Sequence, residues 1–524
     1  MISTSLILDR YRNILLFTVC LLLSPVTRAQ DTLKTQLTYK LSTEVAAGTG
    51  DYTAYQLVTN RHHVLATRPN TAYMRGALNL DHQLSKQFTL SAAVDAVASV
   101  HADHKAYLQQ CYANLSYHHP TPNTNYPSLF LELGSREQKP VLRDEQLSVG
   151  QFVNGTNAKP IPQVHFGTNG FWSVPFTKDW LQVHFDMGYG MTMDSHYRED
   201  AFFVTEGDIQ NRKHINLKYA KDFYYHQKHL YLRSNPQKPL FVTVGIEHVA
   251  QFGGSGYEYR NGILTEKKKP ADLKAFTDIL LPRGDANYFE NDAMEDWCYG
   301  NHIGMMTCQI GWNINKNHRV QAYLDNPFED GSGIRKGNGW DGLWGLQYDN
   351  NLPGRQYVRH AVVEYFQSTN QSGPLHWDSG DYPQPIRSQI TDLVVGNDYY
   401  YHHTFYDSYS HFGMTPGIAL ITSPIYNKDG FTQFVDSRVK AWHIGVNGDV
   451  TSQLSYLVKG SYREGWGTYD FPLSVRHHSF DAMVQGQYHT GPWQFSAAFA
   501  FDKGNIYGDC STFDLKICYY GKIL

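Results

Sequence analysis

Beyond residue 30, the sequence has no apolar run that approaches the roughly 20 residues of a transmembrane helix. A helical inner-membrane protein is therefore excluded. Linkers rich in Pro, Ser or Gln and long charge blocks are also lacking, so nothing divides the 524 residues into separate domains. Only 18% of the residues are charged, and a net charge of −4 gives no reason to expect a nucleic-acid partner.

The start of the chain has the features of an export signal. Arg10 and Arg12 precede a short apolar run, and small side chains follow at residues 27–29, where a signal peptidase would cleave. The run is too short to span a bilayer. The sequence therefore predicts a signal peptide over residues 1–29 and a single exported domain over residues 30–524.

The cysteine and histidine residues indicate neither a defined disulfide pattern nor a metal site. Cys20 leaves with the signal peptide, and the odd number that remains leaves one or two disulfides open. Cys518 falls in phase with an alternating segment, where a small buried side chain is the simpler interpretation. No Cys or His spacing fits a metal site, and a doublet such as His402-His403 would point to opposite faces of a strand. We predict neither a metal nor a cofactor.

What the sequence does contain is a regular alternation of apolar and polar residues. Residues 33–45 carry apolar side chains or Thr at every odd position and polar side chains at every even one. Residues 88–96 repeat the pattern, and residues 181–193 extend it over about 13 positions, against the usual 5–6 of a strand. Tilted membrane strands need about 9–11 residues. Aromatic residues reach 14%, as expected for the aromatic girdles of such a protein.

Turn signals separate these segments. Hairpin turns are predicted at residues 81–87, 447–449 and 489–492, and the Asn-Gly-Asp of residues 447–449 carries the strongest signal. Residues 253–274 are predicted to form an extracellular or lumenal loop. The last alternating segment, residues 513–519, is predicted to close a barrel against the first strand.

The pattern and the export signal together predict an all-β fold, a transmembrane outer-membrane β-barrel of about 18 antiparallel strands. A closed barrel leaves no sheet edge unpaired in lipid. Short helical segments that plug or cap the lumen fit this prediction. A soluble β-sandwich or a propeller is the competing fold, although no repeat of blade length is present.

Several motifs resemble the Wzi-type capsule assembly family. They follow one another in the family's order: residues 132–137 (ELGSRE), 147–150 (LSVG), 157–164 (NAKPIPQV), 174–180 (VPFTKDW), 247–254 (EHVAQFGG), 301–304 (NHIG), 327–333 (PFEDGSG), 341–343 (DGL) and 371–374 (QSGP). The resemblance covers most of the chain after residue 30. It implies a barrel of about 18 strands in the outer membrane, and a lectin-like, non-enzymatic role in attaching or assembling capsular polysaccharide at the cell surface.

Polysaccharide binding needs aromatic rings for the C–H faces of sugars, together with carboxylates and amides for their hydroxyl groups. The candidate binding residues in segments of this kind are Glu329, Asp330, Trp340, Asp341, Tyr400 and Trp466. The alternative interpretation is structural, since aromatic residues at strand ends form interface girdles and charged pairs fill a lumen. The expected partners are capsular or other surface polysaccharide and outer-membrane lipid; the oligomeric state is left open.

The sequence leaves two other functions to consider, an enzyme and a channel. A glycosidase needs two carboxylates about 5–10 Å apart, and Glu329 with Asp330 or Glu290 with Asp292 are such pairs only on paper. We therefore predict no enzyme. A porin or polysaccharide-export channel is the alternative function, because a barrel of this size can enclose a water-filled channel. Alternation does not tell an open lumen from a plugged one.

Overall fold

The computed structural model describes residues 34–119, 127–202, 215–282, 299–329, 331–371, 376–377, 393–394, 399–468 and 471–524. In these residues each main strand pairs antiparallel with the next along the chain, and the last pairs with the first. Nineteen segments make up this sheet; two of them form one interrupted strand, which gives a closed barrel of 18 strands. The predicted fold class is confirmed. The predicted signal peptide lies outside the described residues.

The barrel strands are long enough to cross a membrane at a tilt. Their bounds are β1 (Thr35–Thr49), β2 (Thr71–Gln83), β3 (Phe88–Val100), β4 (Ala106–Tyr117), β5 (Leu129–Ser135), β6 (Gln163–Thr168, continued by Trp172–Ser173), β7 (Leu181–Met191), β8 (Tyr224–Ser234), β9 (Leu240–Phe252), β10 (Asn301–Asn313), β11 (His318–Phe328), β12 (Gly342–Asn350), β13 (His360–Gln367), β14 (Val439–Asp449), β15 (Leu454–Gly467), β16 (Pro472–Thr490), β17 (Trp493–Gly504) and β18 (Cys510–Lys522).

Smaller elements lie in the loops. The α-helices are α1 (Tyr55–Val58), α2 (Ser195–Ala201), α3 (Leu273–Leu280) and α4 (Gly331–Ile334), and Pro424–Tyr426 form a 3₁₀ turn. A three-stranded sheet combines Lys218–Lys221, Ser255–Arg260 and Ile263–Lys268, and two-residue strand pairs join His376–Trp377 to Leu393–Val394 and His402–His403 to Asp407–Ser408. Among the described residues, no helix is both long and apolar enough to cross a membrane.

The two faces of the wall differ in polarity, as the alternation predicted. In β1, Leu41 and Val45 on the outer face are 54% and 49% exposed, whereas Glu44 between them is fully buried in the lumen. The same contrast recurs in β18, where Leu515 is exposed and Asp514 is buried. An apolar outer band over a polar interior is the surface that a barrel presents to hydrocarbon.

The two ends of the barrel differ in loop length. Turns such as residues 314–317 and 450–453 are short at one end, and the long connections from β9 to β10 and from β13 to β14 leave and rejoin the wall at the other. In outer-membrane barrels the short turns face the periplasm and the long loops face the cell exterior. We call these the short-turn end and the long-loop end.

The strongest predicted turn was wrong. Asn447, Gly448 and Asp449 lie inside β14 and pair with β15. The chain reverses after them, where the Thr451 hydroxyl accepts hydrogen bonds from the backbone N–H groups of Gln453 and Leu454 at 3.2 and 3.0 Å. A side chain that closes the turn outweighs the local Asn-Gly preference.

Other turn predictions need smaller corrections. The chain reverses over residues 84–87 and 491–492, because the flanking strands extend further than predicted. Residues 253–274, predicted as a loop, contain a hairpin and the start of α3. Closure by the last strand is confirmed, with β18 paired to β1 from Thr38 with Lys522 to Thr49 with Ser511.

The described cysteines form no disulfide. They are Cys111, Cys308, Cys510 and Cys518. Cys518 is 1% exposed, in agreement with its interpretation as a small buried side chain. Cys298 lies outside the described residues.

Candidate functional site at the long-loop end

Three loops of the long-loop end fold back into the barrel and fill its lumen. They comprise residues 51–70, 136–162 and 399–438, which we call the plug. Plug side chains such as Phe152, Tyr401 and Ile418 are at most 1% exposed and share one apolar cluster with wall residues of β9 to β14. Residues around α1 form a second cluster against β16 and β17.

Buried ion pairs and hydrogen bonds join the plug to the wall. The Arg61 guanidinium donates two hydrogen bonds, of 2.6 and 2.7 Å, to the Glu44 carboxylate of β1. The Arg143 guanidinium pairs with Asp325 of β11, and neither side chain is exposed. Charged groups that lose water in this way need such partners to remain in the lumen.

A carboxylate of β13 supports the middle of the plug in the same way. Glu364 accepts hydrogen bonds from the Ser148 hydroxyl at 2.7 Å and the Val149 backbone N–H at 2.9 Å. Between α1, this loop and β14 a cavity of only about 10 Å³ remains, roughly the minimum space for one water molecule. The loops that line this cavity and the wall are therefore closely packed against each other.

Three of the sequence-predicted site residues meet at one corner of the plug. Glu329 follows β11, is half-buried, and accepts a 3.3 Å hydrogen bond from the Tyr401 backbone N–H. Tyr400 is fully buried; its hydroxyl accepts a hydrogen bond from the Asn338 amide at 3.1 Å. Asp341 is fully buried as well. Asp330 lies outside the described residues.

Asp341 ties a neighbouring loop to this corner. Its carboxylate accepts hydrogen bonds from the backbone N–H groups of Asn370 at 3.1 Å and Gln371 at 2.6 Å. Burial raises the pKa of Asp341 to about 6, against the opposing effect of these hydrogen bonds. Asp341 and Tyr400 thus hold the loops together from beneath the surface.

The two predicted tryptophans lie on the outside of the barrel. Trp340 is 67% exposed, and its ring centroid is 5.2 Å from that of Trp344 on the outer face of β12. Trp466 lies on the outer face of β15, with Lys440 and Arg476 at 5.7 and 5.8 Å from its ring centroid. Both positions suit an interface girdle, in which aromatic and basic side chains meet the polar headgroups.

The three-stranded sheet of Lys218–Lys221, Ser255–Arg260 and Ile263–Lys268 stands above the plug, and we call it the loop sheet. Tyr257 in its middle strand pairs with Tyr219 on one side and Glu266 on the other. The rings of Tyr219 and Tyr257 stack at 4.9 Å with an interplanar angle of 13°. The Lys221 ammonium lies 4.9 Å from the Tyr257 ring centroid.

Charge completes this face of the loop sheet. The Tyr257 hydroxyl donates a 3.0 Å hydrogen bond to the Glu266 carboxylate, which lowers the pKa of Glu266. Tyr259, on the same strand, is 40% exposed. Tyr219 itself is 7% exposed and supports Tyr257. The exposed Tyr259, the Glu266 carboxylate and the Lys221 ammonium group therefore share this face of the loop sheet, a combination that suits sugar C–H faces and hydroxyl groups.

The opposite face of the loop sheet rests on the plug. Gly256 lies against the ring of Phe405, and a Cβ atom at this position would come within 2.7 Å of that ring. Only glycine allows this approach, so the plug fixes the height and orientation of the loop sheet.

The loop sheet was not predicted, although the sequence carries a signal for it. Residues 257–260 alternate Tyr-Glu-Tyr-Arg, and Asn261-Gly262 follow with φ angles of 53° and 82°. Two positive φ angles in Asn-Gly define the favoured two-residue hairpin turn. Among the described residues, no group of three or more His, Cys, Asp or Glu side chains could hold a metal ion.

The fold is similar to that of known outer-membrane proteins. No family model and no curated protein matches the chain. Among solved structures, the chain is similar to Wzi of Escherichia coli, an outer-membrane protein involved in group 1 capsule assembly and a carbohydrate-binding β-barrel. The identity is 8%, the match covers 91% of this chain and 83% of Wzi, and the TM-score is 0.51.

Two proteins of Pseudomonas aeruginosa match over similar lengths. OccK5 (OpdH) is 9% identical, with 94% of this chain and 99% of that chain covered and a TM-score of 0.43. OprD is 10% identical, with 96% and 100% covered and a TM-score of 0.41. The likeness to Wzi is one of fold. With the apolar outer band, it defines this chain as an outer-membrane β-barrel protein.

Proposed function

We propose that this protein is a non-enzymatic outer-membrane barrel that holds capsular or other surface polysaccharide at its long-loop end. The observation that carries the proposal is the plug. A channel needs a continuous aqueous path, and here apolar clusters and buried ion pairs occupy the lumen where that path would run. The wall and its loops then serve as a rigid support for binding at the surface.

The loop sheet is the proposed binding surface. Its rings of Tyr257 and Tyr259, the Glu266 carboxylate and the Lys221 ammonium group provide the two kinds of contact that a sugar chain requires. Half-buried Glu329, at the same end of the barrel, remains a further candidate. Support from outside the chain is the fold of Wzi, itself a carbohydrate-binding β-barrel.

Two measurements test the role. Deletion of the gene should release polysaccharide from the cells into the medium while total synthesis is unchanged; full retention contradicts the proposal. Purified protein in planar bilayers should show no large steady conductance. A steady open conductance would instead support the porin or export channel.

A third measurement addresses enzyme activity. Incubation of the purified protein with the polysaccharide of its host should leave the chain length unchanged. Shortened chains would show hydrolysis and replace the binding role.

A further inference from the structure

Three imidazoles lie where the three parts of the plug meet. His63 belongs to residues 51–70 of the plug and His411 to residues 399–438, and both are buried. His104, in the turn from β3 to β4 at the long-loop end, is half-buried. Lys159, from residues 136–162, is buried beside them. We call these four side chains the basic cluster.

Direct contacts connect the members of the basic cluster to their surroundings. The Lys159 ammonium lies 3.2 Å from the ring centroid of Tyr107 in β4 and donates a 3.4 Å hydrogen bond to the His63 carbonyl. The His104 ring packs edge-on against Phe412, with ring centroids 4.8 Å apart. The basic cluster therefore joins the parts of the plug to one another, to β4 and to the β3–β4 turn.

Hydrogen bonding holds His411 in its neutral form. Its Nδ1–H donates to the Lys159 carbonyl at 3.0 Å, so Nε2 accepts the 3.2 Å hydrogen bond from the Met193 backbone N–H. A protonated imidazole has no acceptor nitrogen and would lose this bond. Burial lowers the pKa of His411 and of His63, and it lowers the pKa of His104 to about 3. All three imidazoles are therefore neutral at pH 7.

In the part of the chain that the structure describes, each carboxylate close to the basic cluster already pairs with an arginine. The pairs are Asp103 with Arg68, Asp194 with Arg198 and Glu137 with Arg75, with N···O distances of 2.9 Å in each. Asp103 lies 3.9 Å from His63 Nε2, beyond hydrogen-bond distance. The remaining titratable neighbours are Tyr107, Tyr197 and His62. Protons added to the basic cluster would therefore meet no carboxylate that lacks a cation.

The plug backbone is strained at the same place. His62 and His63 have φ angles of 52° and 51°, in the left-handed region that residues with a Cβ atom rarely adopt. Such a conformation costs free energy and persists only where surrounding contacts hold it. Opening would relieve the strain, so this segment moves readily once its contacts weaken.

We propose that the basic cluster is an acid-sensitive latch of the plug. Each imidazole that gains a proton adds a positive charge beside the Lys159 ammonium, and the joins between the parts of the plug then open. Residues 399–438 also carry Phe405, which supports the loop sheet at Gly256, so release of the latch loosens the loop sheet as well. The inference rests on contacts within the plug and does not depend on the polysaccharide role.

Two backbone hydrogen bonds report on the latch. The N–H of His62 donates to the Thr156 carbonyl, and the N–H of Gly155 donates to the Pro416 carbonyl, both at 2.6 Å. Each bond crosses a join between two parts of the plug. Amide hydrogen exchange of the full-length barrel in nanodiscs, followed by mass spectrometry and divided by the intrinsic exchange rate at each pH, gives the opening constant of each join.

We expect the opening constants to rise as the pH falls below about 6.5, the pKa of an exposed imidazole. A buried imidazole binds its proton only after opening, so each one adds up to about tenfold per pH unit. Three imidazoles predict a rise of roughly 500-fold between pH 6 and pH 5. Opening constants that do not change with pH would overturn the proposal.

The double variant His63→Asn/His104→Phe removes two of the three imidazoles. Asn tolerates the left-handed backbone at residue 63, and Phe retains a ring against Phe412. The rise between pH 6 and pH 5 should then be only about tenfold. The matched control is His118→Asn/His489→Phe, which removes two exposed imidazoles at the short-turn end and should keep the full rise. An undiminished rise in the first variant contradicts the latch.

Lys159→Met tests the role of the buried ammonium. Met can lie over the Tyr107 ring as the lysine stem does, but it places no charge beside the imidazoles. The rise between pH 6 and pH 5 should be smaller than in the unmodified barrel, because a proton on His63 or His104 then meets no like charge in the closed plug. A heat-induced shift in electrophoretic mobility verifies that each variant is folded. A rise equal to that of the unmodified barrel would assign the pH response to groups outside the basic cluster.

Discussion

Arg143 of the plug and Asp325 of the barrel wall form a fully buried ion pair, although 182 positions separate them in the sequence. Asp325 also accepts a 2.7 Å hydrogen bond from the Thr307 hydroxyl on the adjacent strand. This pair anchors the plug to two strands at once.

Arg143→Leu should destabilise the protein by about 3–5 kcal/mol, because it leaves the Asp325 charge buried without its partner. The midpoint of heat-induced unfolding, followed by electrophoretic mobility, measures the loss. The double variant Arg143→Leu/Asp325→Leu should recover much of it. Equal loss in the single and double variants would show that the pair does not anchor the plug.

Stability should fall as the pH rises through the Asp341 transition. The folded-state pKa of about 6 exceeds the roughly 3.9 of an unfolded chain, so the folded state binds the proton more tightly. The contribution is therefore complete below pH 4 and is lost between about pH 4 and 6. Two pKa units correspond to at most roughly 3 kcal/mol.

Asp341→Asn should remove this part of the pH dependence, since its side chain cannot ionise. Unfolding midpoints measured from pH 4 to pH 8 provide the check. An unchanged slope in the variant would assign the dependence to other groups.

Tyr257→Ala should weaken binding of the purified barrel to the surface polysaccharide of its host. Loss of an aromatic contact of about 0.5–1.5 kcal/mol predicts a roughly 2- to 10-fold rise in Kd. Tyr357→Ala is the matched control, because Tyr357 is 64% exposed at the short-turn end. Equal affinity of the two variants would move the binding surface away from the loop sheet.

Gly262→Val should open the hairpin of the loop sheet and leave the barrel closed. A β-branched residue at φ 82° costs roughly 1–2 kcal/mol in the left-handed region. Limited proteolysis should then cut residues 255–268 faster, with the unfolding midpoint of the barrel retained. Gly486→Val, at an open position in β16, is the control. Faster cutting of residues 255–268 in this control would contradict a local effect of Gly262→Val.

The wall of the barrel was predictable because each strand repeats one local contrast. Leu41 is apolar because it faces hydrocarbon, and Glu44 is polar because it faces the lumen. The same contrast acts on every strand. Asn447-Gly448 shows the limit of local signals, since the Thr451 hydroxyl closes the turn further along the chain.

The plug could not be predicted from such patterns. Residues 136–162 and 399–438 have no periodicity, and their place is decided by partners far away in sequence, as Glu364 is for Ser148. The same limit applies to the candidate site. Asp341 and Tyr400 were predicted to bind polysaccharide because of their residue types. Both are fully buried, which the sequence does not reveal, and they support the loops instead.

The pairing of β1 with β18 sets an order on the assembly of the wall. Thr38 lies beside Lys522, so the ring cannot close until β18 is available. Before that moment the first strand exposes a free row of backbone N–H and C=O groups, a row that invites pairing with another molecule. Biogenesis of this protein therefore requires that the free edge of β1 be shielded until β18 pairs with it.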